Sequence, residues 1–123
     1  HHLDLQLVSR EVLRVLRKGG RAIFQEPVRN SELIKLLRGL IPYQAEDVSP
    51  YERPLTDEEL ADFGNPFSQY RSKAFTLPYI NLAGILPGIK RFMPPLQRFD
   101  GAVLRRFKAL DYYATVRVIE MVK

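Results

Sequence analysis

Cysteine is absent from the 123 residues. This excludes disulfide bridges, thiolate metal sites and a cysteine nucleophile, and it accords with a reducing cytoplasm, the expected location. No apolar run approaches the roughly 18 residues that a membrane-spanning helix requires, so no membrane span is expected. The opening His-His-Leu-Asp has no basic region leading into an apolar stretch, and no signal peptide is expected from it. Internal repeats and low-complexity segments are missing. So are a Ser-His-Asp set and any readable set of metal ligands. The acidic residues between 42 and 66 do not follow the spacing of a calcium-binding loop.

What is present fits one soluble globular domain, residues 1–123, with a modest core. Hydrophobic residues make up 46% of the chain and charged residues 27%, the balance of an ordinary globular protein. The net charge of +5 is unevenly spread. Residues 1–41 hold eight Lys/Arg and four Asp/Glu, residues 42–66 hold one and seven, and residues 67–123 hold ten and three. An acidic insert between two basic blocks is unlike the continuous basic footprint of a nucleic-acid binder, so no nucleic-acid partner is expected.

Hydrophobic spacing predicts a helix over residues 4–17, with Leu5, Val8, Val12, Leu13 and Leu16 near one face and Asp4 as N-cap. Gly19 and Gly20 are expected to end it, with Lys18 at the negative end of the helix dipole. Residues 21–25 predict a strand whose Ala22, Ile23 and Phe24 are covered on both faces. Pro27 is its expected stop, because proline cannot donate to a ladder. A second helix is expected from a cap at Asn30 or Ser31 to about Leu40. Residues 43–54 are irregular and acidic. Thr56-Asp57-Glu58-Glu59 has the form of a capping box opening a short helix over 57–63, with Gly64 as its end. Residues 67–77 predict a strand. A proline-interrupted apolar region follows, with a short helix over 79–86. Then come a helix over 96–109, with Phe99, Val103 and Phe107 spaced by four, and a strand over 112–122 buried on both faces. The order reads as an α/β layered domain.

The stretch EVLRVLRKGGRAIFQEP at 11–27 is a helix ending in VLRKGG, a short apolar strand and a Glu-Pro turn. It resembles the second half of a class I S-adenosylmethionine-dependent methyltransferase, and the resemblance extends over nearly the whole chain. It implies the C-terminal part of a Rossmann-like sheet flanked by helices. Residues 21–25, 67–77 and 112–122 would be the family's fifth, sixth and seventh strands, in the spatial order 5-7-6 with the last strand antiparallel. His1-His2-Leu3 is similar to the tail of the fourth strand, which implies that His1 and His2 lie at the cofactor site. Glu26 falls in the loop after the fifth strand, which faces substrate. Residues 42–66, with Tyr43, fall in a substrate-side insert or lid. The implied activity is methyl transfer from S-adenosylmethionine to a small-molecule acceptor. This is a direct displacement that depends on alignment rather than on a covalent enzyme nucleophile. The family's glycine-rich cofactor loop has no counterpart. Gly19-Gly20 follows a helix, whereas a nucleotide-cradling loop follows a strand and opens a helix. The chain is therefore expected to be an incomplete part of a full-length enzyme.

Each candidate residue also has a plainer reading. His1 and His2 line a cofactor pocket or accept a proton, or they belong to an affinity tag, or they only pack. Glu26 orients a substrate hydroxyl or amine at a strand end, or it is a turn residue in a salt bridge. Tyr43 and Tyr51 wall a substrate pocket, or pack within a loop. Asp47, Glu52, Asp57, Glu58, Glu59 and Asp62 read as solvated, with Glu59 capping a helix. Arg98, Arg105, Arg106 and Lys108 read as a solvated basic face with no aromatic platform interleaved. The apolar residues 75–93 read as ordinary core or a lid rather than a membrane-surface contact. The alternative to an enzyme is a non-catalytic α/β interaction module. If residues 21–25 lack a neighbouring strand, their open edge invites pairing with a second copy, which implies a homodimer.

Overall fold

A computed structural model describes residues 4–32, 34, 36, 53–86 and 88–123. In chain order its elements are α1 (Leu5–Val15), β1 (Arg21–Pro27), α2 (Asp57–Gly64), β2 (Gln69–Phe75), α3 (Pro78–Ile85), a 3-10 turn (Ile89–Phe92), α4 (Met93–Arg106), a second 3-10 turn (Lys108–Tyr113) and β3 (Val116–Val122). No helix among the described residues is long and apolar enough to cross a membrane.

Asp4 caps α1 by accepting the Gln6 and Leu7 amides at 2.9 and 3.1 Å. The helix ends before its glycines, because Leu16 already has extended backbone. Gly19 then turns the chain with a left-handed φ of +73°, which costs glycine little. A cation at the helix's last carbonyls comes from the far end of the chain. Lys123 Nζ donates to Leu16 O at 2.9 Å.

The sheet order is β1-β3-β2, with β3 antiparallel to both neighbours. This is the order expected of the last three strands, and it leaves β1 and β2 parallel with one strand between them. The strand β1 runs two residues past its expected end, through Pro27. Alternation explains the tolerance. The Val28 amide points at β3 and bonds Thr115 O at 2.9 Å. Pro27 therefore turns its missing donor to the outer edge, where the β1–β3 ladder does not need it.

One face of this sheet is covered. Ala22 and Phe24 of β1, Ile119 and Met121 of β3, and Tyr70 of β2 meet side chains of α1 and α2, including Val12, Leu60 and Phe63. Phe24 and Phe63 pack edge to face with centroids 5.4 Å apart. The opposite face is open. Ile23 is 68% exposed, and Val118 and Val122 are only half-buried. The expectation of strands covered on both faces is thus corrected for β1 and β3. An apolar run does not reveal how many layers it meets, and α1 and α2 both lie over the Ile119 face.

Thr56 and Glu59 form the expected capping box. Thr56 Oγ1 accepts the Glu59 amide at 3.2 Å, and Glu59 Oε2 accepts the Thr56 amide at 2.9 Å. Glu59 is not merely solvated, because Arg53 grips its carboxylate with both terminal nitrogens. That guanidinium, with the Thr56 amide and against the opposing effect of burial, holds the Glu59 carboxyl down to about 2. The folded value lies below the unfolded one. The resulting stability is therefore fully present above pH ~4.5 and is lost as the pH falls toward 2. Because Arg53 stands largely in solvent, the loss is expected to be about 1 kcal/mol or less. Thermal unfolding midpoints followed across that window are expected to flatten in Glu59→Gln.

Gly64 closes α2 as its last residue without left-handed backbone, a conformation found only at Gly19 and Gly88 among the described glycines. The need for glycine comes from packing. A Cβ there would stand 2.2 Å from Cδ2 of Tyr70. In α4 the helix starts three residues early, with Pro94 and Pro95 in its first turn, where no amide donor is required. Its buried residues are Asp100 and Leu104. The row Phe99-Val103-Phe107 is not the buried side, since Phe99 and Phe107 are exposed. The strand β3 begins at Val116, four residues later than expected, because Tyr112 and Tyr113 belong to the 3-10 turn.

Candidate functional site

The carboxyl ends of β1 and β2 and the start of β3 lie at one end of the sheet, the end at which open α/β sheets bind ligands. There β1 continues past Pro27 into a buried Val28, which makes a parallel bridge to Leu55. The Leu55 amide donates to Pro27 O at 3.0 Å, and its carbonyl accepts from Arg29 at 2.9 Å. These bonds bring the start of α2 beside the exit of β1.

A polar clamp results. Arg117 donates from Nε to Asp57 Oδ1 at 2.7 Å and from Nη2 to Asp57 Oδ2 at 2.5 Å. Nη2 also bonds the Asp111 carbonyl at 2.7 Å. Asn30 holds Asp57 from the other side. Its Nδ2 donates to Oδ2 and its Oδ1 accepts the Asp57 amide, both at 2.8 Å. Tyr112 closes the set by donating its hydroxyl to Asn30 O at 3.0 Å. The guanidinium thus ties β3 to Asp57 and to the Asp111 turn, and Asp57 in turn ties in Asn30. Arg117 Nη1 and Asp111 Oδ1 are buried without a hydrogen-bond partner among the described residues.

Glu26 sits in this end of β1, half-buried and directly across the ladder from Arg117. Opposite charges at facing positions of an antiparallel pair attract. Of the predicted site residues, Glu26 alone is placed. His1, His2 and Tyr43 lie outside the described residues, as do Asp47, Tyr51, Glu52 and most of the helix expected up to Leu40. Ser31 rather than Asn30 stands at the start of that helix, with the Ile34 amide 3.5 Å from its Oγ. Asn30 is taken up by Asp57. Within the acidic stretch, residues 53–66 pack into the domain, with Leu55, Leu60 and Phe63 all buried.

Two further features shape the same end. Thr76, just after β2, has φ of +62°, a strained conformation for a β-branched residue. It is held there by Thr115, whose amide and hydroxyl both donate to Thr76 O at 2.8 Å, and Asn81 Nδ2 donates to that hydroxyl at 3.0 Å. Asp100 is buried on α4 and accepts the Leu77 amide at 3.2 Å. Burial, with the Asp100 carboxylate nearby, pushes the Tyr79 hydroxyl up to about 12. Tyr79 is therefore a neutral phenol at physiological pH and no general base there. A dent of about 30 Å³ lined by Arg21, Gln69, Arg71, Glu120 and Val122 lies at the opposite end of the sheet, and it is far smaller than a cofactor pocket.

Sequence reasoning missed the clamp. Asp57 was expected to be solvated, and Arg117 drew no notice. The signal was present in β3. Arg117 is in phase with Ile119 and Met121, so a strand with that face buried must bury the guanidinium and supply it an acid. No protein-family model, no curated protein and no solved structure matches this chain.

Proposed function

We propose that these residues form the C-terminal half of an S-adenosylmethionine-dependent methyltransferase domain acting on a small-molecule acceptor. The observation that carries the reading is the sheet, in which the last strand lies between the other two and antiparallel to both. The outer edge of β1 supports it as well. The amides and carbonyls of Arg21, Ile23 and Gln25 point away from β3, on the edge where this reading requires a further strand. In this reading Glu26 orients the acceptor's hydroxyl or amine beside Arg117. His1 and His2 border the cofactor, and Tyr43 walls the acceptor pocket. Catalysis rests on alignment of acceptor, methyl and sulfur. In this reading the glycine-rich loop that grips the cofactor is supplied by sequence other than these 123 residues.

The same open edge favours a second reading, an interaction module that pairs two copies through β1. Calorimetric titration with S-adenosylhomocysteine separates the two. The 123-residue chain is expected to show no saturable binding. A polypeptide that adds an upstream strand–GxGxG–helix segment is expected to bind one molecule per chain. Failure of the longer polypeptide to bind, together with a dimer of the short chain that survives dilution and dissociates in Ile23→Lys, would replace the first reading with the second.

A further inference from the structure

The helical pair α3–α4 carries an unusual surface. Between residues 78 and 110 the chain has six Lys/Arg and a single acid, Asp100, and that acid is buried. Every charge this segment exposes is therefore positive. Among the described residues, Arg91, Arg98, Arg105 and Arg106 pair with no carboxylate, whereas Lys108 reaches Asp111 at 3.7 Å.

Aromatic rings stand among these cations. Phe92, Phe99 and Phe107 are 50%, 62% and 55% exposed, and each follows an arginine in the chain. Phe99 lies on α4, and Phe92, seven positions earlier, closes the 3-10 turn that leads directly into it. Arg98 and Arg105 share that spacing within α4 and lie near one side of it, and Arg91 precedes Phe92 in the 3-10 turn. The Arg91 guanidinium lies 4.6 Å from the Phe92 ring centre, and that of Arg106 lies 5.5 Å from the Phe107 ring centre. The expectation of a basic face without interleaved aromatics is corrected by this arrangement. Residues 75–93 are core only in part. Leu77 and Ile80 are buried, but Leu82 of α3 and Leu86 just beyond its end are as exposed as the phenylalanines.

We propose that this surface docks on an anionic lipid bilayer, with Phe92 and Phe99 entering the interfacial region and Arg91, Arg98 and Arg105 meeting the lipid phosphates. Charge complementarity selects an anionic partner. The aliphatic residues choose between the two large anionic classes. A nucleic acid stacks its bases on aromatic rings and has no use for exposed leucines. The interface of a bilayer takes up leucine and phenylalanine together, while arginines reach for the headgroups. The helix α3 has no charged side chain at all, which suits the lipid side of such a surface. The proposal is independent of methyl transfer.

The protein has no tryptophan, so Phe99→Trp places a single reporter at the centre of the surface. The full 123-residue chain with this substitution is mixed with vesicles of phosphatidylcholine alone, or with about one-third phosphatidylserine, in about 0.1 M salt. A blue shift of the emission on the anionic vesicles only is expected. Binding is expected to weaken about fivefold for each of Arg98→Gln and Arg105→Gln, with far-UV circular dichroism unchanged because both sites are exposed. An unchanged emission maximum on both vesicle types would overturn the proposal. So would co-sedimentation without a blue shift that polyuridylate competes away, since that would assign the surface to nucleic acid.

Discussion

Asp57→Ala is expected to destabilise the fold by about 3–5 kcal/mol, measured as the shift in urea unfolding midpoint at unchanged slope. The magnitude follows from what is left behind. The Arg117 side chain is 6% exposed and that of Asp57 43%. Without Asp57, a buried guanidinium keeps one hydrogen bond among the described residues, to the Asp111 carbonyl. Asn30 Nδ2 loses its acceptor, although the residue 57 amide still donates to Asn30 Oδ1, and α2 loses an acid from its first turn. The reverse substitution is expected to cost less. Arg117→Met leaves Asp57 near water, still bonded to Asn30, and fills the same space with apolar atoms, so a loss of about 1–2 kcal/mol is expected. A cost for Arg117→Met equal to or above that of Asp57→Ala would show that the clamp acts through packing rather than through charge.

Ile119→Ala is expected to cost about 3–4 kcal/mol, within the range for large-to-small changes at sites unable to collapse. Ile119 is fully buried in the central strand, level with Phe24 on one side and Ser72 on the other, and it belongs to the same cluster as Leu60 and Phe63. Strand neighbours fix the backbone on both sides, so the cavity cannot close by a backbone shift. Ile119→Val, which removes one methylene, is expected to cost about 0.5–1.5 kcal/mol. Ile23→Ala provides the contrast. It removes the same atoms from the same sheet, but from the open face, and is expected to lie within about 0.5 kcal/mol of the parent chain. Equal costs at the two isoleucines would mean that both faces of the sheet are covered.

The chain's local signals were well expressed where neighbours in sequence supply both partners. Asp4 caps α1, and Thr56 with Glu59 opens α2, because a carboxylate or hydroxyl reaches amides two or three residues away without help from the rest of the molecule. The strands were recognisable from alternation and apolar content, and the strand order followed from the resemblance. The errors share a cause. Pro27 continues β1 because its missing donor faces outward, a fact set by the position of β3. Gly64 is needed because a tyrosine six residues away folds over it. In α4 the spacing of Phe99, Val103 and Phe107 marked a helix but not its buried side, which is that of Asp100 and Leu104. An acid on the inner face is costly unless it finds a donor, and the Leu77 amide that receives it lies 23 positions away in sequence.

The candidate site divides along the same line. Glu26 was identifiable because a carboxylate beside Pro at the close of an apolar strand is a local pattern. The Arg117–Asp57 pair spans 60 positions, and Asn30 and Tyr112 join it from two further segments. Spacing along the chain decides which residues cap, turn or alternate, since those interactions act over a few bonds. Which charges are buried together, which face of the sheet is closed and which phenylalanines remain in solvent depends on the docking of α1 and α2 on one side and of α3 on α4. Those contacts join residues far apart in the chain, and their cost or gain arises only when water is removed from between them.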